Sequence, residues 1–323
     1  MIMLCITALL FSLTGCSWSR GKQEVQGSLR VGLIADKSPV AADGIDRTVW
    51  ETLQQLSASA QTEIEALYRI PGQDGTFEEC IQQFAEQECN LVICTDRDKT
   101  QLMVLAAQNA PQRYFAVFSD QDFGLDNLCS LSFDTHQAVY LGGYAAGKAT
   151  QSSRIACVYN HMTEQVEQYL AAFQAGVKAG NKEALLLRSN LLLRGDVRTT
   201  QEMVANGVDV VFHIDGQAES KVVSTCRENG IWAVTANAGG LPSAAVLASA
   251  QDDFTFAVTN VVQQTAAGQF ASGLHRYNLA GGVTLLMNPD QLPESIQTSV
   301  ENMKNKIIAG EVTIPVALDE TDD

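Results

Sequence analysis

Motifs that could support catalysis or metal binding are sparse in this sequence. None of the four histidines lies in an HExxH pattern, and there is no GxSxG, GxxxxGK[ST] or GxGxxG motif. The six cysteines beyond the first sixteen residues include no CxxC pair of the kind that binds zinc. We therefore expect no catalytic residue, no metal and no cofactor, and a protein that is not an enzyme.

Cys16 stands where an apolar run ends, and its thiol is a reactive group with a clear sequence context. As a helix, residues 1–13 would span about 20 Å, which is short of the roughly 30 Å core of a bilayer. The sequence Leu13-Thr14-Gly15-Cys16 resembles the lipobox of bacterial lipoproteins, in which the cysteine thiol carries diacylglycerol. We predict a signal peptide over 1–15, lipidation of Cys16 and a flexible tether over 16–28. A plain secretory signal with a chance cysteine is the alternative.

The composition is that of a folded, acidic chain. Its 323 residues are 46% hydrophobic and 18% charged, and the formal net charge is −16. The roughly 295 residues after the tether are enough for two lobes with separate cores. A strongly negative chain is repelled by nucleic acid and by anionic lipid headgroups, so neither is expected as a partner.

Short apolar runs alternate with helix-like segments from Leu29 onward. This rhythm predicts an α/β fold in which parallel strands are covered by helices on both faces. Because the units are too many for one ordinary sheet, we infer two doubly wound parallel-sheet lobes joined by a hinge. Near the C-terminus the pattern predicts one long helix over 254–272 and then a strand over 281–287.

Two local patterns predict packing rather than chemistry. The segment 141–147, LGGYAAG, lies within a helical stretch, so close helix packing explains its small residues better than a phosphate loop does. Cys94 and Cys157 lie inside apolar runs, where buried free thiols are expected. A disulfide between Cys80 and Cys89 is not expected, because both lie on one predicted helix and too far apart along its axis.

Polar residues follow several of the predicted strands. In doubly wound sheets ligands bind at the carboxyl ends of the strands, so these residues are candidates for a site. They are Asp36, Thr95, Asp120, Asn160, Asp215 and Thr235. Asp and Asn also favour loops and helix caps, so for each residue a capping role stays open.

Several motifs resemble, in the same order, those of the basic membrane protein family. The opening LRVGLIAD at 29–36, YLGGYAAG at 140–147 and GVDVVF at 207–212 are examples, and the second is the most specific. The resemblance spans 29–315. It implies a type I periplasmic-binding-protein-like fold and a substrate-binding lipoprotein of an ABC importer, in a family whose best-known members deliver purine nucleosides.

The resemblance also implies an organisation and a set of partners. We expect an N-terminal lobe of residues 29–133 and 251–282, and a C-terminal lobe of residues 134–250 and 283–323. The expected partners are a nucleoside-like small molecule and an ABC transporter permease. The protein would be a monomer attached by its lipid to the extracytoplasmic face of the cell membrane.

We predict eight ligand-binding positions, Asp36 from its place after the first strand and the others from the resemblance. They are Asp36, Ile45, Asp46, Asp120, Phe173, Gly216, Thr235 and Asn237. Of these, Asp120, Phe173 and Gly216 match the family's pattern.

Other positions depart from the family's pattern. Ile45 replaces an aromatic residue that would stack on a base, and Asp46 replaces an asparagine. Thr235 replaces an aspartate that would hold ribose hydroxyls. Stacking is worth about 1–3 kcal/mol and a charged hydrogen bond about 1.5–3 kcal/mol, so we expect weakened purine nucleoside binding. Asp252 replaces a lysine, which favours a neutral or cationic solute.

Three functions fit the sequence. The first is a solute-binding receptor of an ABC importer for a nucleoside or related small solute. The second is a ligand-sensing lipoprotein of the same fold without a transporter role. The third is an enzyme or structural lipoprotein that reuses the fold.

Overall fold

The computed structural model describes residues 28–40, 44–59, 63–193, 195–214, 220–237, 241 and 243–318. The strands are β1 Leu29–Ile34, β2 Ile64–Arg69, β3 Leu91–Cys94, β4 Tyr114–Phe118, β5 Leu128–Phe133, β6 Arg154–Tyr159, β7 Leu185–Asn190, β8 Val210–His213, β9 Trp232–Ala236, β10 Val246–Asp252, β11 Gly273–Tyr277 and β12 Val283–Met287. The helices are α1 Ile45–Ala58, α2 Phe77–Glu86, α3 Thr100–Asn109, α4 Thr135–Ala149, α5 Glu164–Gly180, α6 Asp196–Ala205, α7 Lys221–Glu228, α8 Phe254–Ala266 and α9 Glu294–Ile308.

The strands form two sheets of six strands each. The first sheet has the order β11-β5-β4-β3-β1-β2 and is parallel throughout. The second has the order β12-β10-β9-β8-β6-β7, and in it β12 runs antiparallel to β10. Two helix-covered, mainly parallel sheets confirm the predicted α/β fold class.

Both faces of each sheet are buried, which explains the nearly continuous apolar strands. In β3, Leu91 and Ile93 contribute to one hydrophobic cluster while Val92 and Cys94 contribute to another. Successive side chains of a strand point to opposite faces, so a strand with helices on both sides must be apolar at every position. Helices α1 and α8 cover one face of the first sheet, and α2 and α3 cover the other.

The chain crosses between the two sheets at three neighbouring places. These crossings lie between Phe133 and Thr135, between Asp252 and Phe254, and between Tyr277 and Val283. Backbone hydrogen bonds tie them together: the amide of Asp134 donates to the carbonyl of Tyr277, and that of Asp253 to Gly282, each at 2.8 Å. We propose that these crossings form the hinge between the two lobes.

The segment predicted as one long helix over 254–272 contains the shorter helix α8 and the loop that leads to strand β11. Helix α8 ends at Ala266, shortly before Gly268, whose φ of 64° no longer fits a right-handed helix. Strand β11 then pairs with β5 at the edge of the first sheet. The apolar pattern gave no sign of this strand, because an edge strand with exposed and half-buried residues lacks the apolar run of a central one.

The prediction that Cys94 and Cys157 are buried free thiols is confirmed. Cys80, Cys89, Cys94, Cys129, Cys157 and Cys226 are buried free thiols.

Within the described residues, no helix combines the length and apolar character that crossing a membrane requires. The predicted signal peptide, Cys16 and the tether up to Gly27 lie outside the described residues.

Helices α4 and α5 pack so closely that their backbones touch. A Cβ atom at Gly143 would lie 2.2 Å from the carbonyl oxygen of Phe173, and one at Gly176 would lie 2.0 Å from that of Tyr140. Gly147 and Gly180 face similar contacts one turn further along. The small residues at 141–147 therefore serve helix packing, as the sequence predicts.

We expect Gly143→Ala to destabilise the fold by at least about 1–3 kcal/mol, because the new methyl group meets backbone that cannot rotate away. Gly142→Ala is the matched control on the same helix, since its Cβ would meet a methyl group of Val234 at 3.1 Å rather than backbone. Alanine also favours a helix by roughly 1 kcal/mol over glycine, which offsets that contact. Urea unfolding measures both variants, and equal losses would contradict the packing argument.

Candidate functional site

A cavity of about 960 Å³ opens between the two sheets beside the hinge. The first lobe, which is built on the first sheet, contributes residues at the ends of β3, β4 and β5. The second lobe, which is built on the second sheet, contributes the N-terminal half of α5. Parallel strands of one sheet end at the same edge, so the cavity lies where doubly wound folds bind ligands. Its lining residues are Arg97, Asp98, Thr100, Gln101, Phe118, Ser119, Asp120, Gln121, Phe123, Ser132, Phe133, Asp134, Thr135, Thr163, Glu164, Gln165, Gln168, Tyr169, Asp252, Arg276 and Val316.

Two arginines in the cleft are close to carboxylates. Nη1 of Arg97 lies 3.4 Å from Oδ2 of Asp120, whose other oxygen accepts a hydrogen bond from the Ser132 hydroxyl. Nη1 of Arg276 lies 3.5 Å from Oδ1 of Asp134. Both arginines are half exposed, so these pairs hold the side chains in place more than they stabilise the fold.

Asp252 is a half-buried carboxylate of the cleft that neighbouring side chains hold in place. The Thr135 hydroxyl donates to its Oδ1 at 2.6 Å, and Nδ2 of Asn237 donates to its Oδ2 at 2.9 Å. The amide of Asp252 in turn donates to Oδ1 of Asn237 at 2.9 Å. Burial raises the pKa of the Asp252 carboxyl, and these two hydrogen bonds and the charge of Arg97 oppose that rise only in part.

Tyr169 extends this network onto α5. Its hydroxyl oxygen accepts a hydrogen bond from Nε2 of Gln165 at 3.3 Å, and Thr135 lies beside it. Burial, followed by the negative charge of Asp252, raises the pKa of Tyr169, so it stays a neutral phenol. A chain of polar groups thus runs from β9 and β10 through the start of α4 to α5, along one wall of the cleft.

The predicted site residues near α1 form their own cluster. The carboxylate of Asp46 is buried and accepts hydrogen bonds from the amides of Asp36 and Lys37, both at 3.0 Å, and from the Thr95 hydroxyl. Asp46 therefore fixes the loop after β1. Asp36 is exposed, with Oδ1 3.9 Å from Nζ of Lys99. Neither carboxylate is among the described groups that line the cavity.

The remaining predicted residues have different surroundings. Phe173 is fully buried and stacks on Phe212 with ring centroids 4.4 Å apart, which gives it a packing role. Thr235 is also fully buried and donates to the Ser249 hydroxyl at 2.7 Å. Ile45 begins α1 and packs against the first lobe's core. Gly216 lies outside the described residues.

The structure thus brings Asp120 to the cleft and places Asn237 behind Asp252, but it does not bring the other described candidates there. Sequence reasoning missed Arg97, Thr135, Tyr169 and Arg276. Thr135 could have been found, because it lies two residues after β5 and begins α4. Tyr169 lies within a helix and Arg276 within an unrecognised strand, so no local pattern marks either of them.

One contact outside the cleft has the residue types of a nucleophile pair. Nδ1 of the buried His213 lies 3.0 Å from the Ser220 hydroxyl. The same hydroxyl accepts a hydrogen bond from the amide of Val223 at 3.2 Å and so caps α7. Burial lowers the pKa of His213 to about 4. The contact is explained by the helix cap. Among the described residues, no group of three His, Cys, Asp or Glu side chains could hold a metal ion.

Two sheet-based lobes, a three-stranded crossing and a cleft at the carboxyl ends of the strands are the features of a type I periplasmic-binding-protein-like fold. The family model of the Bmp family, ABC transporter substrate-binding protein PnrA-like, matches residues 27–317. The chain belongs to this family, and the resemblance predicted from its motifs is confirmed.

Similar proteins cover most of the chain at low identity. The CD4+ T-cell-stimulating antigen of Listeria innocua is 21% identical, and the match covers 91% of this chain and 90% of that protein. The ABC transporter nucleoside-binding protein BmpA of Lactococcus lactis is 22% identical, and the match covers 94% of each chain. A solved ABC transporter solute-binding protein from Conexibacter woesei superposes with a TM-score of 0.73 at 18% identity, over 90% of this chain and 100% of that one. The superposition supports the fold.

We expect the stability of the protein to depend on pH through Asp252. Because folding raises the pKa of this carboxyl above its ordinary value of 3.8, its contribution to stability is present at low pH and is lost as the pH rises through the raised pKa. Asp252→Asn removes that loss. The free energy of unfolding of the variant should therefore gain on that of the wild type between about pH 4 and pH 7 in urea titrations. A constant difference across this range would contradict the prediction.

Proposed function

We propose that this protein is a lipid-anchored, extracytoplasmic solute-binding protein of an ABC importer and that it binds a nucleoside or related small solute in the cleft. The observation that carries the proposal is the cavity of about 960 Å³ between two lobes that are joined by three neighbouring crossings. A cavity of that size matches a drug-sized or nucleoside-sized solute. Its position beside the hinge allows the solute to draw the lobes together.

The lining supports recognition of a polar ring-containing solute. Phe118, Phe123 and Phe133 provide apolar surface, while Ser119, Gln121 and Gln165 provide neutral hydrogen-bonding groups. Such a mixture is typical of small-molecule sites, in which aromatic surface supplies affinity and a few polar groups fix orientation. The membership in a family of substrate-binding proteins and the name of the Lactococcus lactis relative favour a nucleoside.

The proposed role is binding rather than catalysis. The family is one of substrate-binding proteins, and the polar groups of the cleft are held by one another rather than aligned as a nucleophile and a base. A lipid on Cys16 would keep the receptor close to its permease, which is a functional reason for a tether of this kind.

Asp120→Asn should weaken solute binding by roughly tenfold to a hundredfold, because it removes a charged acceptor at the mouth of the cleft and frees Arg97. Isothermal titration of the full-length protein in detergent with adenosine, guanosine and inosine measures the effect. Asp122→Asn is the matched control: the Asp122 carboxylate lies two residues along the same loop and accepts a hydrogen bond from the amide of Gly124 at 2.9 Å. Absence of binding by all three nucleosides would count against the nucleoside part of the proposal.

Cys16→Ser should abolish incorporation of a labelled fatty acid and should release the protein from the membrane fraction of a bacterial host. Cys5→Ser is the matched control, because Cys5 lies within the apolar run of the predicted signal peptide and should leave acylation unchanged. Continued labelling of the Cys16→Ser variant would refute the anchor.

A further inference from the structure

The walls of the cleft carry more negative than positive charge. Among the described lining residues, the carboxylates are Asp98, Asp120, Asp134, Glu164 and Asp252, and the cationic groups are Arg97 and Arg276. Each guanidinium already lies within 3.5 Å of a carboxylate, Arg97 beside Asp120 and Arg276 beside Asp134. The empty part of the cleft therefore faces a surplus of negative charge.

Asp252 is a half-buried member of this surplus and is held in place by two side-chain hydrogen bonds. Two uncharged side-chain groups donate hydrogen bonds to its carboxylate: the hydroxyl of Thr135 and the side-chain amide of Asn237. They fix the carboxylate without neutralising it. Each carboxylate oxygen has a further lone pair, so the group can still accept a hydrogen bond from a solute. An ion pair formed there would be stronger than one in open water, because fewer water molecules screen it.

Aromatic side chains line the same cavity. Phe118 and Phe133 belong to one cluster of rings in the first lobe, and Phe123 lies on the loop after β4. Tyr169, whose pKa is raised by burial and by the charge of Asp252, lines the wall of the second lobe. Aromatic faces favour planar rings and also attract cations, so they act in the same direction as the carboxylates.

We propose that the cleft selects a small solute that carries a positive charge on or beside a planar ring, and that Asp252 is its counter-charge. This inference rests on the proposed binding role of the cleft and assigns it a class of solute. Neutral ring solutes of the same size bind more weakly, because they leave the Asp252 charge without a partner.

Two methylated nucleosides test the inference directly. 1-Methyladenosine is protonated and cationic at neutral pH, whereas its isomer N6-methyladenosine is neutral, so the two solutes differ by one proton and its charge and by the position of one methyl group. In isothermal titrations with the full-length protein in detergent, 1-methyladenosine should bind roughly tenfold to a hundredfold more tightly than N6-methyladenosine. Equal binding of the two, or tighter binding of the neutral isomer, overturns the inference and leaves the proposed nucleoside-binding role intact.

Variants then locate the charge that discriminates. Asp252→Asn should remove most of the preference for the cationic isomer, because neither isomer then meets a charge at that position. Asp290→Asn changes the net charge equally at an exposed position that does not line the described cleft, and it should keep the preference. If both variants behave alike, a general field of the acidic protein is responsible and the role of Asp252 is refuted.

A second pair of solutes separates failure of the inference from failure of the nucleoside proposal. Tryptamine and tryptophol share an indole ring and differ in a cationic amine against a neutral hydroxyl. If neither nucleoside binds but tryptamine binds to the wild type more tightly than to Asp252→Asn, the solute class stands and the nucleoside is wrong. If neither 1-methyladenosine nor tryptamine binds better than its neutral partner, the inference is overturned.

Discussion

The contact between the backbones of α4 and α5 is the constraint on which the second wall of the cleft depends. Helix α4 begins with Thr135 at the hinge, and α5 carries Tyr169. These side chains meet only because Gly143 and Gly176 let carbonyl oxygens of the facing helix approach where a Cβ atom would stand. In a well-packed interior the backbone has no room to move away from such contacts, so the spacing of the two helices is fixed. The polar network around Asp252 is then built on a rigid frame.

That network links the frame to the hinge and to the electrostatics of the cleft. Asp252 ends β10, the strand after which the chain returns to the first lobe. Its carboxylate accepts a hydrogen bond from Thr135, the first residue of α4. A movement of the lobes that displaced either crossing would therefore change the surroundings of its carboxylate. Burial that raises the pKa of a carboxyl disfavours its charge, so a partner of opposite charge stabilises the ionised form. The proposed hinge and the proposed counter-charge for a solute are one structural unit.

The fold was predictable from the sequence to the extent that periodicity is a local property. Buried parallel strands such as β3 and amphipathic helices such as α2 show their environment in the order of their residues, and Thr76 with Glu79 forms the capping box that starts α2. Strand β11 escaped because its residues are half exposed, and its identity depends on β5 lying beside it. The antiparallel direction of β12 likewise follows from where the last crossing delivers the chain.

The sequence by itself determined the fold class, the close helix packing at 141–147, the buried free cysteines and the family, because each is recorded in residue types at fixed spacing. Tertiary structure alone decided which polar groups face the cleft. Asp46, Phe173 and Thr235 are all polar or aromatic at plausible positions, yet they are held by a loop, a core and a neighbouring strand. Thr135, Tyr169 and Asp252 are separated along the chain and meet at the hinge. Side-chain proximity across lobes leaves no periodic trace, so local pattern could mark Thr135 after β5 but not its meeting with Tyr169 and Asp252.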